Sequence, residues 1–77
     1  MTPEEITDML RLALPDAQVQ CKDLTGTQDH WEIVVVSSAF EGKRLLAQHR
    51  LVKDALAAPL KSGALHALSL KTRTPTH

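Results

Sequence analysis

The feature that most constrains this chain is an unbroken run of four β-branched residues, Ile33-Val34-Val35-Val36, which follows Trp31 closely. β-branched and aromatic side chains favour the pleated backbone of a strand. We therefore predict a strand over residues 31–37, and such a strand needs partners in a sheet. A chain of 77 residues has the size of one small domain. We predict a single domain over residues 1–77, too small for a cleft between two domains.

The segment before this strand carries the signals of a helix. Thr2-Pro3-Glu4-Glu5 combines a capping residue, a proline at the first helical position and an acid that can complete a capping box. Apolar residues then recur at spacings of three and four from Ile6 to Leu14, and Pro15 ends the pattern. Together these signals predict a helix over residues 3–13.

A second strand is predicted between this helix and the β-branched run. Residues 19–24 alternate in polarity, so that Val19 and Cys21 share one face of the strand. Residues 25–29 are rich in turn formers, including Gly26. We therefore expect the two strands to form an antiparallel hairpin.

The second half of the chain predicts another helix and a third strand. The helix is expected over residues 43–57. Pro59, just beyond it, either stops this helix or begins a short turn of another helix. Its inward stripe is predicted to contain Leu45, His49, Val52 and Leu56. A third strand is expected over residues 64–72. The order α-β-β-α-(α)-β predicts an α+β fold with helices on one face of a three-stranded sheet, in which the Trp31 and Leu68 strands are central.

The net charge of zero hides an uneven distribution. Residues 1–42 carry two basic residues against eight acids, and residues 43–77 carry seven basic residues against one acid. This separation is compatible with a basic binding face or with two halves that interleave in space. The basic residues around the second helix are Lys43, Arg44, Arg50 and Lys53. They could contact phosphates in DNA or form a solvated face.

Motifs of catalysis are missing from the sequence. It contains no glycine-rich phosphate loop, no C-x-x-C and no H-E-x-x-H, and no sequence signal places a base beside Ser37-Ser38. We therefore expect a binding or carrier protein and no enzyme. The acidic, polar start and the lack of a long apolar run predict a cytoplasmic protein without a membrane segment.

Two histidines are candidate metal ligands because each lies at the end of a predicted element. His30 precedes Trp31, and His66 begins the third strand. Two ligands are fewer than the four of a closed zinc site, so a metal here would be shared or keep open positions. His49 is expected to pack against the core. Cys21 is expected to be a small buried apolar residue, with metal binding as the alternative.

Five blocks of this sequence closely resemble the BolA family. They are V-V-V-S at residues 34–37, F-E-G-K at 40–43, Q-H-R-L-V at 48–52, L-H-A-L-S-L-K-T at 65–72 and T-P at 74–75. The match covers nearly the whole chain in order. The resemblance implies an α-β-β-α-α-β fold similar to class II KH domains. For function, the resemblance implies one of two roles. The first is a partnership with monothiol glutaredoxins in iron–sulfur cluster handling. The second is that of a transcriptional regulator that binds DNA weakly through the second helix.

The resemblance further implies a [2Fe–2S] cluster shared between the two proteins. Glutaredoxin would supply its cysteine and a glutathione thiolate. The BolA-like chain would supply His66, from the H-A-L block, and His30 from the loop between the first two strands. Some family members carry this second ligand earlier in the loop, where Thr27 and Gln28 stand here, and Cys21 is an outside candidate. The isolated chain is expected to be a cluster-free monomer or weak homodimer.

Overall fold

The computed structural model describes residues 2–24, 26, 30–65 and 67–75. Its elements are α1 (Pro3–Ala13), β1 (Gln18–Asp23), β2 (His30–Val36), a single 3-10 turn (Ser38–Phe40), α2 (Leu45–Ala55), α3 (Ala57–Ser62) and β3 (Ala67–Arg73). The predicted α+β element order is thereby confirmed. Within the described ranges, no helix has the length and hydrophobicity needed to cross a bilayer.

Helix α1 begins and ends where its sequence signals predict. The Thr2 hydroxyl accepts a hydrogen bond from the Glu5 backbone N–H at 3.2 Å, and the same hydroxyl lies 3.3 Å from the Glu5 carboxylate. Pro3 occupies the first turn, where a missing N–H costs nothing. The Leu14 N–H still bonds to the Leu10 carbonyl, after which Pro15 prevents another turn.

The sheet has the strand order β1-β2-β3. Strands β1 and β2 form the predicted antiparallel hairpin, with Cys21 opposite Ile33. Strand β3 pairs with β2 in parallel, starting with His30 opposite Ala67. The predicted central position of the Leu68 strand is wrong, because β3 pairs with β2 alone and forms an edge. Alternating polarity reports which face of a strand is buried but does not identify its neighbours.

The core lies on one face of the sheet, between β2 and the two long helices. Along β2, Trp31, Ile33 and Val35 are buried, whereas the residues between them are half-buried. Helix α1 contributes Ile6 and Leu10 to the same cluster. The other core residues include Phe40, Val52, Leu56 and Leu65. Helices α1 and α2 therefore form one layer, which we call the helix layer.

The opposite side of the sheet is its open face, and it carries Glu32 and Val34 of β2 with their neighbours. Lys22 of β1 lies opposite Glu32, and Lys71 of β3 lies opposite Val34. Lys71 forms an ion pair of 3.2 Å with Glu32 across this face. Both lysines are exposed. Polar residues therefore dominate this side of the sheet.

The predicted helix over residues 43–57 is divided into two helices. Helix α2 ends at Ala55, and the Leu56 N–H bonds to the Val52 carbonyl at the junction. Helix α3 then carries Pro59 in its first turn, where proline is tolerated. Gly63, with φ of +84°, ends α3 in the left-handed conformation that glycine adopts without strain.

The inward stripe predicted for α2 is correct except at its first residue. Val52 and Leu56 are fully buried, and His49 is half-buried. Leu45 is 60% exposed, so its predicted burial is wrong. Helical spacing predicts the direction of a side chain. It does not report whether the core extends beneath the first turn of the helix.

Candidate metal-ligand site

His30 is an exposed residue held at a well-anchored end of the central strand. It is the first residue of β2, and Trp31 beside it is 1% exposed within the core. Successive side chains of a strand point to opposite faces, so His30 lies on the side away from the core. Its carbonyl accepts a hydrogen bond from the Leu24 N–H at 2.9 Å, which closes the hairpin. The imidazole is therefore available to an external ligand on a fixed backbone.

The third strand begins beside His30. Ala67, the first residue of β3, is its partner in the parallel ladder. His66 directly precedes Ala67 in the sequence and lies outside the described residues, as do Thr27 and Gln28 of the hairpin loop. The described backbone thus brings the start of β3 to the end of the sheet where His30 is exposed.

The hairpin loop begins with a defined turn. The Asp23 carboxylate accepts a hydrogen bond from the Gly26 N–H at 3.0 Å. Gly26 has φ of +77°, a conformation that other residues adopt only with strain. Asp side chains favour such turns because they bond to the backbone a few residues ahead. This turn fixes the direction in which the chain leaves β1.

Cys21 lies on the other side of the sheet from His30. It is half-buried opposite Ile33 and packs against the core. Burial raises the pKa of the Cys21 thiol, and the Glu4 charge raises it further, against a hydrogen bond with Thr7 that lowers it. Iron binds the thiolate rather than the thiol. Position and protonation therefore favour packing over metal binding for Cys21.

The described residues do not form a complete metal site by themselves. Among them, no group of three or more His, Cys, Asp or Glu side chains is arranged to hold a metal ion. The exposed imidazole of His30 is still a suitable ligand for iron by its chemistry. A metal bound there would need further ligands from beyond the described part of the chain or from a partner.

Helix α2 brings the predicted basic residues together on its exposed side. Two adjoining grooves of about 370 Å³ and 270 Å³ run along it and share Leu46 and Arg50. The first is also lined by Gly42, Lys43, Arg44 and Ala47, and the second by His49, Lys53 and Asp54. We call this surface the cationic groove. The Nε2 atom of His49 is buried and has no hydrogen-bond partner among the described residues.

One polar network was not predicted from the sequence. The Asp16 carboxylate accepts hydrogen bonds from the Ser37 hydroxyl at 2.7 Å, the Ser38 N–H at 2.8 Å and the Ser38 hydroxyl at 2.6 Å. The Ser38 hydroxyl is the main cause that lowers the pKa of Asp16 to about 2, helped by Ser37 and the Ser38 N–H. A carboxylate of such low basicity is a poor general base. Because the Asp16 carboxylate accepts hydrogen bonds from both Ser37 and Ser38, the network instead holds the turn after β2 in place.

A second unpredicted network joins α2 to the edge strand. The Thr72 hydroxyl donates to the Gln48 side-chain oxygen at 2.6 Å, and the Gln48 amide donates to the Lys43 carbonyl at 2.8 Å. Gln48 therefore holds the segment before α2 against β3. Neither network has a local sequence signal, because the Asp16–Ser37 and Gln48–Thr72 hydrogen bonds join residues more than twenty positions apart.

Comparison with known proteins identifies the same family as the sequence blocks. The model of the BolA family, described as BolA-like protein, matches residues 12–77. An uncharacterised protein of Rickettsia prowazekii is 36% identical over 72 residues, which cover 94% of this chain and 92% of that protein. Other curated relatives are longer, since this chain spans 45% of a BolA-like protein of Dictyostelium discoideum and 13% of SufE-like protein 1 of Arabidopsis thaliana.

Two solved structures share the fold over at least 90% of their own length. BolA1 from Arabidopsis thaliana has a TM-score of 0.84 at 31% identity, covering 95% of this chain and 90% of its own. The BolA domain of SufE1 from the same plant has a TM-score of 0.82 at 35% identity, with coverages of 95% and 91%. With an antiparallel hairpin, a parallel third strand and helices on one face, this chain belongs to the BolA family.

Proposed function

We propose that this chain is a BolA-type adaptor that binds a monothiol glutaredoxin and co-ligates a [2Fe–2S] cluster through His66 and His30. The observation that carries the proposal is the exposed imidazole of His30 at the anchored end of β2, next to Ala67 in the ladder. Family membership supports the choice of partner.

The environment of His30 suits a ligand shared between two proteins. Its side chain is exposed on the sheet side opposite the core, whereas Trp31 is buried and holds the strand. A partner can therefore approach the imidazole without displacing core residues. Glutaredoxin and glutathione would contribute the two thiolates, so the cluster belongs to the complex rather than to this chain. Catalysis plays no part in this function.

The chemistry of the proposed ligands differs from that of an all-cysteine site. Neutral imidazoles in place of two thiolates remove negative charge from a [2Fe–2S] cluster and raise its reduction potential. Imidazole must lose its proton to bind iron, so cluster binding weakens in acid. His66 and His30 would therefore make the shared cluster easier to reduce and sensitive to pH.

Mixing the full chain with cluster-loaded monothiol glutaredoxin and glutathione tests this proposal. We expect the visible absorption and circular dichroism of the cluster to change when the complex forms. His66→Ala should abolish the change and His30→Ala should weaken or abolish it. His77→Ala removes a histidine at the C-terminus and serves as the matched control. An unchanged spectrum, or a change that survives His66→Ala, would reject the proposal.

The alternative function, a DNA-binding transcriptional regulator, rests on one observation. Lys43, Arg44 and Arg50 line the same groove on α2. Phosphate contacts by such residues would make binding weak and strongly dependent on salt. Three features count against DNA as the ligand of this surface. The apolar Leu46 also lines the groove, and the carboxylate of Asp54 lines its neighbour. In addition, α2 carries no Phe, Trp or Tyr to stack on bases.

Titration of a labelled DNA duplex at several salt concentrations tests this alternative. Binding through α2 requires that Lys43→Glu and Arg50→Glu abolish it. Binding that is indifferent to both changes would exclude the helix as the DNA-binding element.

A further inference from the structure

Two leucines of the helix layer are exposed to an unusual degree. Leu12 of α1 is 87% exposed and Leu46 of α2 is 72% exposed, the highest values among the large apolar side chains of the described residues. A single exposed leucine is common on protein surfaces. These two differ from scattered cases because each lies on a helix face with charges of one predominant sign, and the two signs are opposite.

The exposed face of α1 is acidic around Leu12. Glu4, Asp8 and Leu12 follow one another at spacings of four residues, so they share one side of the helix. All three are exposed, whereas Ile6 and Leu10 are buried against the core. Arg11, the one basic residue in the α1 sequence, donates through Nε to the Ala17 carbonyl at 3.2 Å.

The exposed face of α2 is basic around Leu46. Leu46 lines both parts of the cationic groove, together with Arg50. Lys43, Arg44 and Lys53 supply further positive charge, against the single carboxylate of Asp54. An apolar side chain among cations suits an acidic helix that presents a leucine better than it suits the phosphates of DNA. The acidic face of α1 has this chemistry.

Because α1 and α2 lie side by side, two copies of the chain can bring the acidic face of α1 against the basic face of α2 at two places in one interface. Helices α1 and α2 pack against each other on the same side of the sheet, with α1 contacting β1 and α2 contacting β3. A twofold axis along the seam between the helices would place α1 of one copy over α2 of the other, and the reverse. Such an interface is closed and self-complementary. The net charge of zero imposes no overall repulsion between the copies.

We propose that the helix layer is a self-association surface, through which two copies form a twofold dimer with Leu12 of each copy against Leu46 of the other. The acidic side chains around Leu12 face the cationic groove in both halves of the interface. His30 and the open face of the sheet remain uncovered. The dimer is therefore independent of the glutaredoxin complex proposed above.

Sedimentation equilibrium of the full chain over a range from micromolar to millimolar concentration tests this dimer. Arg50→Glu and Asp8→Lys should each raise the dissociation constant by about tenfold or more, because each replaces two attractive contacts with repulsive ones. Raising the salt to about 1 M should also weaken the dimer, since it shortens the Debye length to about 3 Å. Lys22→Glu changes the net charge as Arg50→Glu does, but on the open face, and should have no effect.

A double substitution gives the sharpest result. Asp8→Lys combined with Arg50→Glu restores opposite charges across the interface and should recover most of the association. Asp8→Lys combined with Lys22→Glu has the same net charge and should not recover it. Circular dichroism of each variant confirms that its helices are intact.

Three outcomes would overturn the proposed dimer. The first is a chain that stays monomeric at millimolar concentration in low salt. The second is a dimer that Arg50→Glu and Lys22→Glu weaken equally. The third is a monomeric chain that binds a DNA duplex or an acidic helical peptide through Arg50, which would assign the cationic groove to a different occupant.

Discussion

The two faces of β2 differ sharply in burial, although they belong to one strand. Trp31, Ile33 and Val35 face the helix layer and are at most 1% exposed. The alternate residues begin with exposed His30 and continue through half-buried Glu32 and on to Val36. One strand therefore contributes to the core on one side and carries the proposed ligand His30 on the other. Because the two sets do not share a face, the ligand candidate can be changed without opening the core.

Substitution on the buried face should give the largest effect on stability. Ile33→Ala removes a fully buried side chain at the centre of the sheet and should cost about 2–5 kcal/mol of the free energy of unfolding. A domain of this size has about 3–5 kcal/mol in total, so most of the variant should be unfolded. Val34→Ala, one residue along and half-buried, should cost less than about 1.5 kcal/mol.

Urea denaturation followed by circular dichroism measures both variants. Similar losses for Ile33→Ala and Val34→Ala would contradict the division of β2 into a stabilising face and an open face.

His30→Ala should change the free energy of unfolding by no more than about 0.5 kcal/mol, as expected for an exposed residue.

The next largest effect is expected where α2 is joined to the edge of the sheet. Gln48→Ala removes hydrogen bonds to Thr72 and to the Lys43 carbonyl and should cost about 1–2 kcal/mol. Gln20→Ala removes an exposed glutamine from β1 and serves as the control. Equal midpoints of urea unfolding for the two variants would show that the Gln48 network does not hold the helix layer to β3.

A smaller and pH-dependent effect is expected at Asp16. The pKa of Asp16 falls from the usual 3.8 to about 2 in the folded chain, mainly because the Ser38 hydroxyl bonds to its ionised form. Its contribution is therefore complete above the unfolded value of 3.8 and is lost as the pH falls through about 2. Asp16→Asn should make the urea midpoint decrease less steeply than in the natural chain between about pH 5 and pH 2.

Ser38→Ala gives the matched test for this pH dependence. Removal of the hydroxyl should raise the pKa of Asp16 toward its usual range and flatten the same acid transition. Parallel curves for the natural chain and both variants would exclude the Asp16 network as a source of acid sensitivity.

The smallest effect is expected on the open face. Lys71 and Glu32 form an ion pair of 3.2 Å, but their side chains are 57% and 27% exposed. Exposed ion pairs contribute little because water and salt screen them. Lys71→Ala should change the free energy of unfolding by about 0.5 kcal/mol or less. A loss of more than about 2 kcal/mol would show that the open face also carries stability.

Local signals predicted some elements well and others only in part. The capping residues of α1 and the β-branched run of β2 act within a few residues, and both elements have nearly the predicted bounds. Leu45 satisfied the helical spacing yet is exposed, because spacing does not report the extent of the core. The break at Leu56 was missed because its sequence lacks a strong signal, and Pro59 is compatible with either outcome.

The candidate site, like the fold, was only partly predictable from the sequence. Sequence pattern and family resemblance selected His30 and His66. The structure shows that His30 is exposed, whereas His66 lies outside the described residues. The position of Cys21 on the core side of the sheet became clear only from its pairing with Ile33. The polar networks of Asp16 and Gln48 were not predicted, since each joins residues more than twenty positions apart.

By itself, the sequence determined the family, the order of elements and the backbone conformation of α1 and β2, because these depend on interactions between near neighbours or on long matching blocks. Only the tertiary structure decided that β3 lies at the edge, that His30 meets Ala67 at one end of the sheet, and that Leu12 and Leu46 lie on adjacent helices with opposite charge. These relations arise from the packing of distant segments around one core, and local preferences carry no information about such packing.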